Sequence, residues 1–210
     1  MIVVIGTGAV ASEITQFFGN IKGYLEYDYN IEKYYNHYKF KQPILGDIDS
    51  YEFQPDDLFA LGMADIPFRR LVVEKVKAKG GIFATLIHPS VMLPDNFFID
   101  EGTIIHPNCI IEANVTIGKL NYLTVPTIIA HDTVIGDNNI FSASLLCGHV
   151  TVGNDNRFCI RSTVIPHISI GNGNTIQAGM VVTENVKDNT TVFHWYKEKI
   201  YSIKDGKTIL

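Results

Sequence analysis

His131 is followed directly by Asp132 within Ile129-Ala130-His131-Asp132-Thr133-Val134-Ile135-Gly136, and this pair is the first candidate for chemistry. An imidazole ionises near neutrality, so it can take a proton from an attacking group and return it to a leaving group. A carboxylate next to it can hold the ring or raise its basicity. His149 follows 18 residues after His131, and His167 another 18 residues on. Cys147 stands beside Gly148 and reads as a corner or core thiol rather than a nucleophile. The histidines and cysteines do not converge at zinc-ligand spacing along the chain, so no metal is expected. Near the start, Gly6-Thr7-Gly8-Ala9-Val10-Ala11 can offer backbone N–H groups and a helix N-terminus to a phosphate. With alanine in the third glycine position this is a loose fingerprint. Arg69 either meets a phosphate as well or lies on a solvated helix face.

Two segments with different patterns must position these groups. Residues 1 to 86 alternate between strand-like and helix-like stretches. Ile2-Val3-Val4-Ile5 is a short apolar run, as in a strand buried on both faces. A helix-like stretch runs from Val10 to Phe18, and strands are expected near Gly23-Tyr24-Leu25 and at Leu58-Phe59-Ala60-Leu61, closed by Gly62. Pro67 to Lys79 separates Phe68, Leu71, Val72 and Val76 from its basic residues, and Gly80-Gly81 ends it. Ile82 to Leu86 completes the set. Such alternation implies a small parallel sheet with helices packed on it.

From Ile87 to about residue 190 the pattern changes to a period of six. Ile87, Leu93, Ile99, Ile105, Ile111, Ile117, Leu123, Ile129, Ile135 and Phe141 share one phase. After a one-residue slip near Cys147 the beat resumes at Val152, Phe158, Val164, Ile170, Ile176 and Val182. In a chain that is 46% hydrophobic, sixteen such hits arise by chance roughly a few times in a million. Three hexads make one triangular coil of a parallel β-helix, with the aliphatic residue pointing into the prism and glycine or asparagine at corners. His131, two positions after inward Ile129, should then point outward. His149 is expected one full coil above it, at the ~4.8 Å strand spacing, where each ring disfavours protonation of the other. The slip places His167 in a different phase, and no role is assigned to it. His88 and His106 read as structural.

The chain of 210 residues is long enough for one large or two small domains, and 19% charged residues fit an ordinary globular protein. A formal charge of −5 with no basic run argues against a nucleic-acid partner. Three cysteines without pairing favour a reducing compartment. The apolar stretch before Gly6 is too short for a signal sequence or a membrane span, so a cytoplasmic protein without membrane contact is expected.

The chain resembles the bacterial sugar O- and N-acyltransferases of the sialic acid and bacillosamine type, which are hexapeptide-repeat enzymes. The likeness is carried by the opening strand with Gly6-Thr7-Gly8, Gly23 to Glu26, and Pro43-Ile44-Leu45-Gly46-Asp47-Ile48. The Ala84-Thr85-Leu86-Ile87-His88-Pro89-Ser90 junction and the His131 segment are its most specific parts. The resemblance implies a Rossmann-like α/β domain over residues 1–86, a left-handed parallel β-helix over 87–190, and a cap or tail over 191–210. It implies a homotrimer, acetyl-CoA as co-substrate, and a nucleotide-linked amino sugar as acceptor. By the same resemblance His131 is the catalytic base with Asp132 as its partner. His149, Gly148, Ala178 and Gly179 are candidates to support it or bind the donor. Gly6, Thr7, Gly8, Glu26, Gly62 and Arg69 are candidates for the nucleotide sugar. The chain departs from the family pattern at Ala9-Val10-Ala11, at Thr124, at Ile140, and in its ending, where Val192-Phe193-His194-Trp195-Tyr196-Lys197 stands. N-acetylation of an amino sugar leads, O-acetylation of a sugar hydroxyl follows, and a silent scaffold or nucleotide-sugar-binding protein is the alternative of another class.

Overall fold

The computed structural model describes residues 1–26, 31–194, 202–204 and 207–209. Its N-terminal part is a five-stranded parallel sheet of β1 (Ile2–Ile5), β2 (Ile21–Glu26), β3 (Ile44–Asp47), β4 (Leu58–Leu61) and β5 (Ile82–Phe83). The strands lie in the order β3-β2-β1-β4-β5. The chain therefore winds outward in both directions from β1 and β4, and their carboxyl ends frame a crevice. Helices α1 (Ala9–Phe17), α2 (Ile31–Tyr38) and α3 (Ile66–Ala78) cover the sheet. Burial on both faces is why β1 carries no polar residue: Val3, Val4 and Ile5 are fully buried. α3 starts where expected for a helix with proline in its first turn, and the Asp65 carboxylate accepts the Phe68 N–H at 2.9 Å.

The expected strand over Ile82 to Leu86 is divided. Ile82–Phe83 closes the first sheet, whereas Leu86–Ile87 already pairs with Ile104–Ile105 of the second unit. α2 and the pairing of β3 with β2 carry no clear periodic signal in the sequence, and both emerge only in the structure.

The second unit is a parallel β-helix of two- and three-residue strands whose three faces contain seven, five and five strands. The hexad residues from Ile105 to Val182 form one continuous buried core, with Ile87 and Ile99 packed against its open end. Leu93, in the incomplete first coil, remains 37% exposed. Left-handed backbone at the corners is taken by Asn108, Asn114, Asn138, Asn189 and several others. Inside one corner, Asn121, Asn139, Asn156 and Asn174 form a buried ladder in which each side chain bonds the next coil's backbone or side chain.

The slip is placed by the register. Ile129 pairs with Leu146 and Phe141 with Phe158, both 17 residues apart, whereas Leu146 pairs with Val164 at 18. One residue is missing from the corner at Ser142–Ser144, upstream of Cys147, and Ala143 takes the left-handed position there with φ 49°. Leu146, not Cys147, therefore fills the prism.

One face of the β-helix receives the α/β unit. Outward Ile104, Tyr122 and Ile140 are buried against Ala11, Ile14 and Phe18. The Tyr122 hydroxyl donates to the Glu13 carboxylate, and the Arg157 guanidinium donates to the Ala64 carbonyl. Thr191–Val192 adds a last rung to this face, and Ser202–Lys204 pairs antiparallel with Lys207–Ile209. Trp195, Tyr196 and Lys197 lie outside the described residues. Among the described residues no helix is long and apolar enough to cross a membrane.

Candidate active site

His131 and Asp132 form a corner of the β-helix, between Ile128–Ile129 and Val134–Ile135. The His131 side chain is 52% exposed and points outward, because the corner after Ile129 breaks the strand alternation that would turn it inward. Its Nδ1 lies 2.8 Å from Asp132 Oδ2. The ring holds the Asp132 carboxyl below its ordinary range, and the Asn114 amide, donating to Oδ1 at 3.1 Å, adds to this. An ionised carboxylate only accepts hydrogen bonds, so Nδ1 is the donor, and in the neutral ring Nε2 is then the atom with a free lone pair. The His131 backbone N–H donates to Glu112 Oε2 at 3.0 Å, which fixes the corner from the preceding coil.

Gly148 makes this arrangement possible. A Cβ at that position would sit 2.7 Å from His131 Cε1 and 2.8 Å from Nε2. The ring thus lies against bare backbone of the next coil. The shortened corner has a second effect: His149 is not stacked over His131, as a strict 18-residue coil requires, but over Asp132. Its Nε2 is 3.7 Å from Asp132 Oδ2, and the His131 and His149 rings meet edge to face with centroids 5.3 Å apart. His167 is correspondingly back in the ladder, its ring stacked on His149 at 4.7 Å and 8°. The sequence reading that put His167 out of phase is corrected by this register.

The other predicted residues lie elsewhere. Ala178 and Gly179 occupy a different corner, where Gly179 donates to the Ile160 carbonyl, so one chain does not bring them to His131. Gly6 and Gly8 sit at the carboxyl end of β1, with Gly6 at φ 104° and Gly8 as the N-cap of α1. Thr7 there is buried. Gly62 ends β4, and a Cβ on it would meet the Ile5 carbonyl at 2.7 Å, so its smallness lets β4 turn beside β1. Glu26 ends β2 at the same edge.

Arg69 is a correction. It is 1% exposed and holds the two units together, with Nε donating to Asn138 Oδ1 at 2.8 Å and Nη1 to the Met63 carbonyl at 2.9 Å. Nη2 donates to the Leu120 carbonyl. Burial lowers the guanidinium to about 10, still charged at neutral pH. All three nitrogens donate into the interior, so Arg69 does not lie on a solvated helix face. Of the departures, Ile140 lies in the interface between units, and Thr124 Oγ1 accepts the Ala143 N–H at 3.2 Å. Glu112 and Asn114 were missed as site residues; only their offsets of 19 and 18 from His131 and Asp132, about one coil each, could have pointed to them.

The carboxylate-bound histidine thus sits at an exposed corner of a six-residue-repeat β-helix, and an α/β unit is seated on one face of that helix. Solved structures share this fold along nearly the whole chain. WeeI from Acinetobacter baumannii superposes with a TM-score of 0.80 at 19% identity, over 92% of this chain and 96% of its own. PerB from Caulobacter crescentus, solved with CoA and GDP-perosamine, gives 0.79 at 22% identity over 90% and 92%. The acetyltransferase domain of PglB from Neisseria gonorrhoeae gives 0.78 at 18% over 90% and 94%. No family model matches the chain, and no curated protein matches it by sequence. At these identities the likeness establishes the fold.

Proposed function

We propose that this protein is an acetyl-CoA-dependent N-acetyltransferase acting on a nucleotide-linked amino sugar, with His131 as general base. The observation that carries the reading is the His131–Asp132 pair, exposed at a coil corner with Nε2 free. The fold adds support, because relatives with it were solved with CoA and with GDP-perosamine, one of them described as a perosamine N-acetyltransferase.

In this reading the acceptor amine attacks the thioester carbonyl, and a C–N bond forms. His131 Nε2 takes the proton the nitrogen loses, while Asp132 stabilises the imidazolium through Nδ1–H. Collapse breaks the C–S bond, and His131 returns the proton to the departing thiolate. No covalent intermediate on Cys147 is required. The crevice at the ends of β1 and β4, with Gly6, Thr7, Gly8 and Glu26, serves as the Rossmann-like nucleotide-sugar site, where the start of α1 favours phosphate.

Assembly into a trimer completes the proposal. The β-helix face next to the His131 corner presents Ile110, Ile128 and Leu145 outward in one column that begins with Met92, 64% exposed, and passes through Thr163 to Val181, 48% exposed. Within the described residues Ile110, Ile128 and Leu145 are only partly buried, and a second copy would bury the rest with His131 at the seam.

Incubating the protein with acetyl-CoA, a thiol reagent and a panel of UDP-, dTDP- and GDP-linked sugars tests the function. Thiol release with amino sugars, abolished in His131→Ala, is expected. Release with hydroxyl acceptors alone would favour O-acetylation, and none at all would favour a silent scaffold.

A further inference from the structure

We infer that Asp132, His131 and His149 form a binding site for one first-row transition-metal ion, of which Zn²⁺ is the representative. No zinc signature exists along the chain; the site is made across two coils. One donor atom from each residue lies within 4.8 Å of the other two. The contacts to Asp132 Oδ2 are 2.8 Å from His131 Nδ1 and 3.7 Å from His149 Nε2. Zinc bonds of 2.0–2.2 Å in a tetrahedron place donors about 3.3–3.5 Å apart, a value these two distances bracket. Two imidazoles and a carboxylate are the ligand types such ions prefer, and the fourth position is left to water.

The missing residue at Ser142–Ser144 creates the convergence. With an 18-residue coil Asp132 would face Val150, which is fully buried in the prism; with 17 it faces His149. Asp132 and His149 both take left-handed corner conformations, with φ of 58° and 60°, so their spacing is held by strand stacking. Outer contacts are also in place. Asn114 donates to the second Asp132 oxygen, and His167 stacks on His149 without offering a donor to the trio. The ion would take the place of the proton between His131 Nδ1 and Asp132, and that proton moves to Nε2, so the ring stays neutral and Nε2 loses its free lone pair. The ion therefore competes with the state in which His131 acts as base, and Zn²⁺ is expected to inhibit rather than assist acyl transfer. That consequence rests on the proposed function; occupancy of the site does not.

The test is titration of tag-free protein with Co²⁺, followed by visible absorption, and with Zn²⁺ by calorimetry. One ion per chain is expected, with Zn²⁺ displacing Co²⁺. Asp132→Asn and His149→Asn, both tolerant of the left-handed corner, should each weaken binding at least about tenfold, and His167→Ala should not. Absence of saturable binding below millimolar metal, or wild-type affinity in both Asn variants, overturns the proposal. If binding holds but Zn²⁺ leaves turnover intact, the site stands and the assignment of His131 as base falls.

Discussion

His131 gains its orientation from atoms that belong to three successive coils: Glu112 and Asn114 below, Asp132 beside it, and the bare Cα of Gly148 above. Because Gly148 has no positive φ, alanine there costs no backbone strain. Its methyl would nevertheless push the half-exposed ring off Asp132. Displacement of a catalytic group by about 1 Å costs on the order of 10²-fold in rate. Gly148→Ala should therefore lose about that much kcat with an unchanged Tm; unimpaired turnover would mean the ring position does not matter. His106 is a different kind of histidine. It is 1% exposed, boxed by Phe17, Phe18 and Tyr122, and its Nε2 has no partner. Burial, with His88 nearby, lowers it to about 4. Between that value and the ordinary 6.5 the unfolded chain binds a proton that the folded chain does not, so stability falls as pH falls through this window. The loss approaches roughly 3 kcal/mol near pH 4. His106→Phe should flatten the slope of stability against pH between 4 and 6.5, as read by denaturant unfolding.

The β-helix strands are too short to be stable alone, and their order comes from stacking. The inner asparagine ladder shows how. Asn139 Oδ1 accepts from the Asn156 N–H and side chain at 2.8 and 2.9 Å, while its Nδ2 donates to Asn121 Oδ1 and to the Gly153 carbonyl. Asn139→Ala would leave buried partners unpaired in two adjacent coils, at about 3 kcal/mol. A fall in Tm of roughly 10 °C is expected by calorimetry, and a change within 2 °C would show that water replaces the amide. The six-residue beat is legible because every hexad spends one aliphatic side chain on the prism. The ladder is harder to read, since asparagine also serves at exposed corners such as Asn114.

The two units are joined by buried polar contacts as well as apolar packing. Arg69 spans them, and Tyr122 reaches Glu13 across the same junction. Among the described residues the column of Ile110, Ile128 and Leu145 is a partly exposed apolar strip beside the His131 corner. Leu145→Asp places a charge at its centre. Light scattering should find three chains for the wild type and one for the variant, with the variant still folded by circular dichroism. A monomeric wild type at micromolar concentration would remove the trimer from the proposal.

Periodicity alone was enough for the β-helix, for its change of phase, and for an outward His131, because core-facing residues repeat with the geometry of the coil. The parallel α/β sheet was likewise readable from alternating apolar runs, although β3 and α2 were not. Partners across coils were decided by folding. A single missing corner residue moved His149 from His131 to Asp132 and returned His167 to the ladder. Arg69 carried no mark distinguishing a solvated arginine from a buried one until Asn138, 69 residues away, closed over it. Local sequence encodes which side of a strand faces the prism; which residues meet depends on register summed over the intervening chain, and an error of one residue exchanges every neighbour.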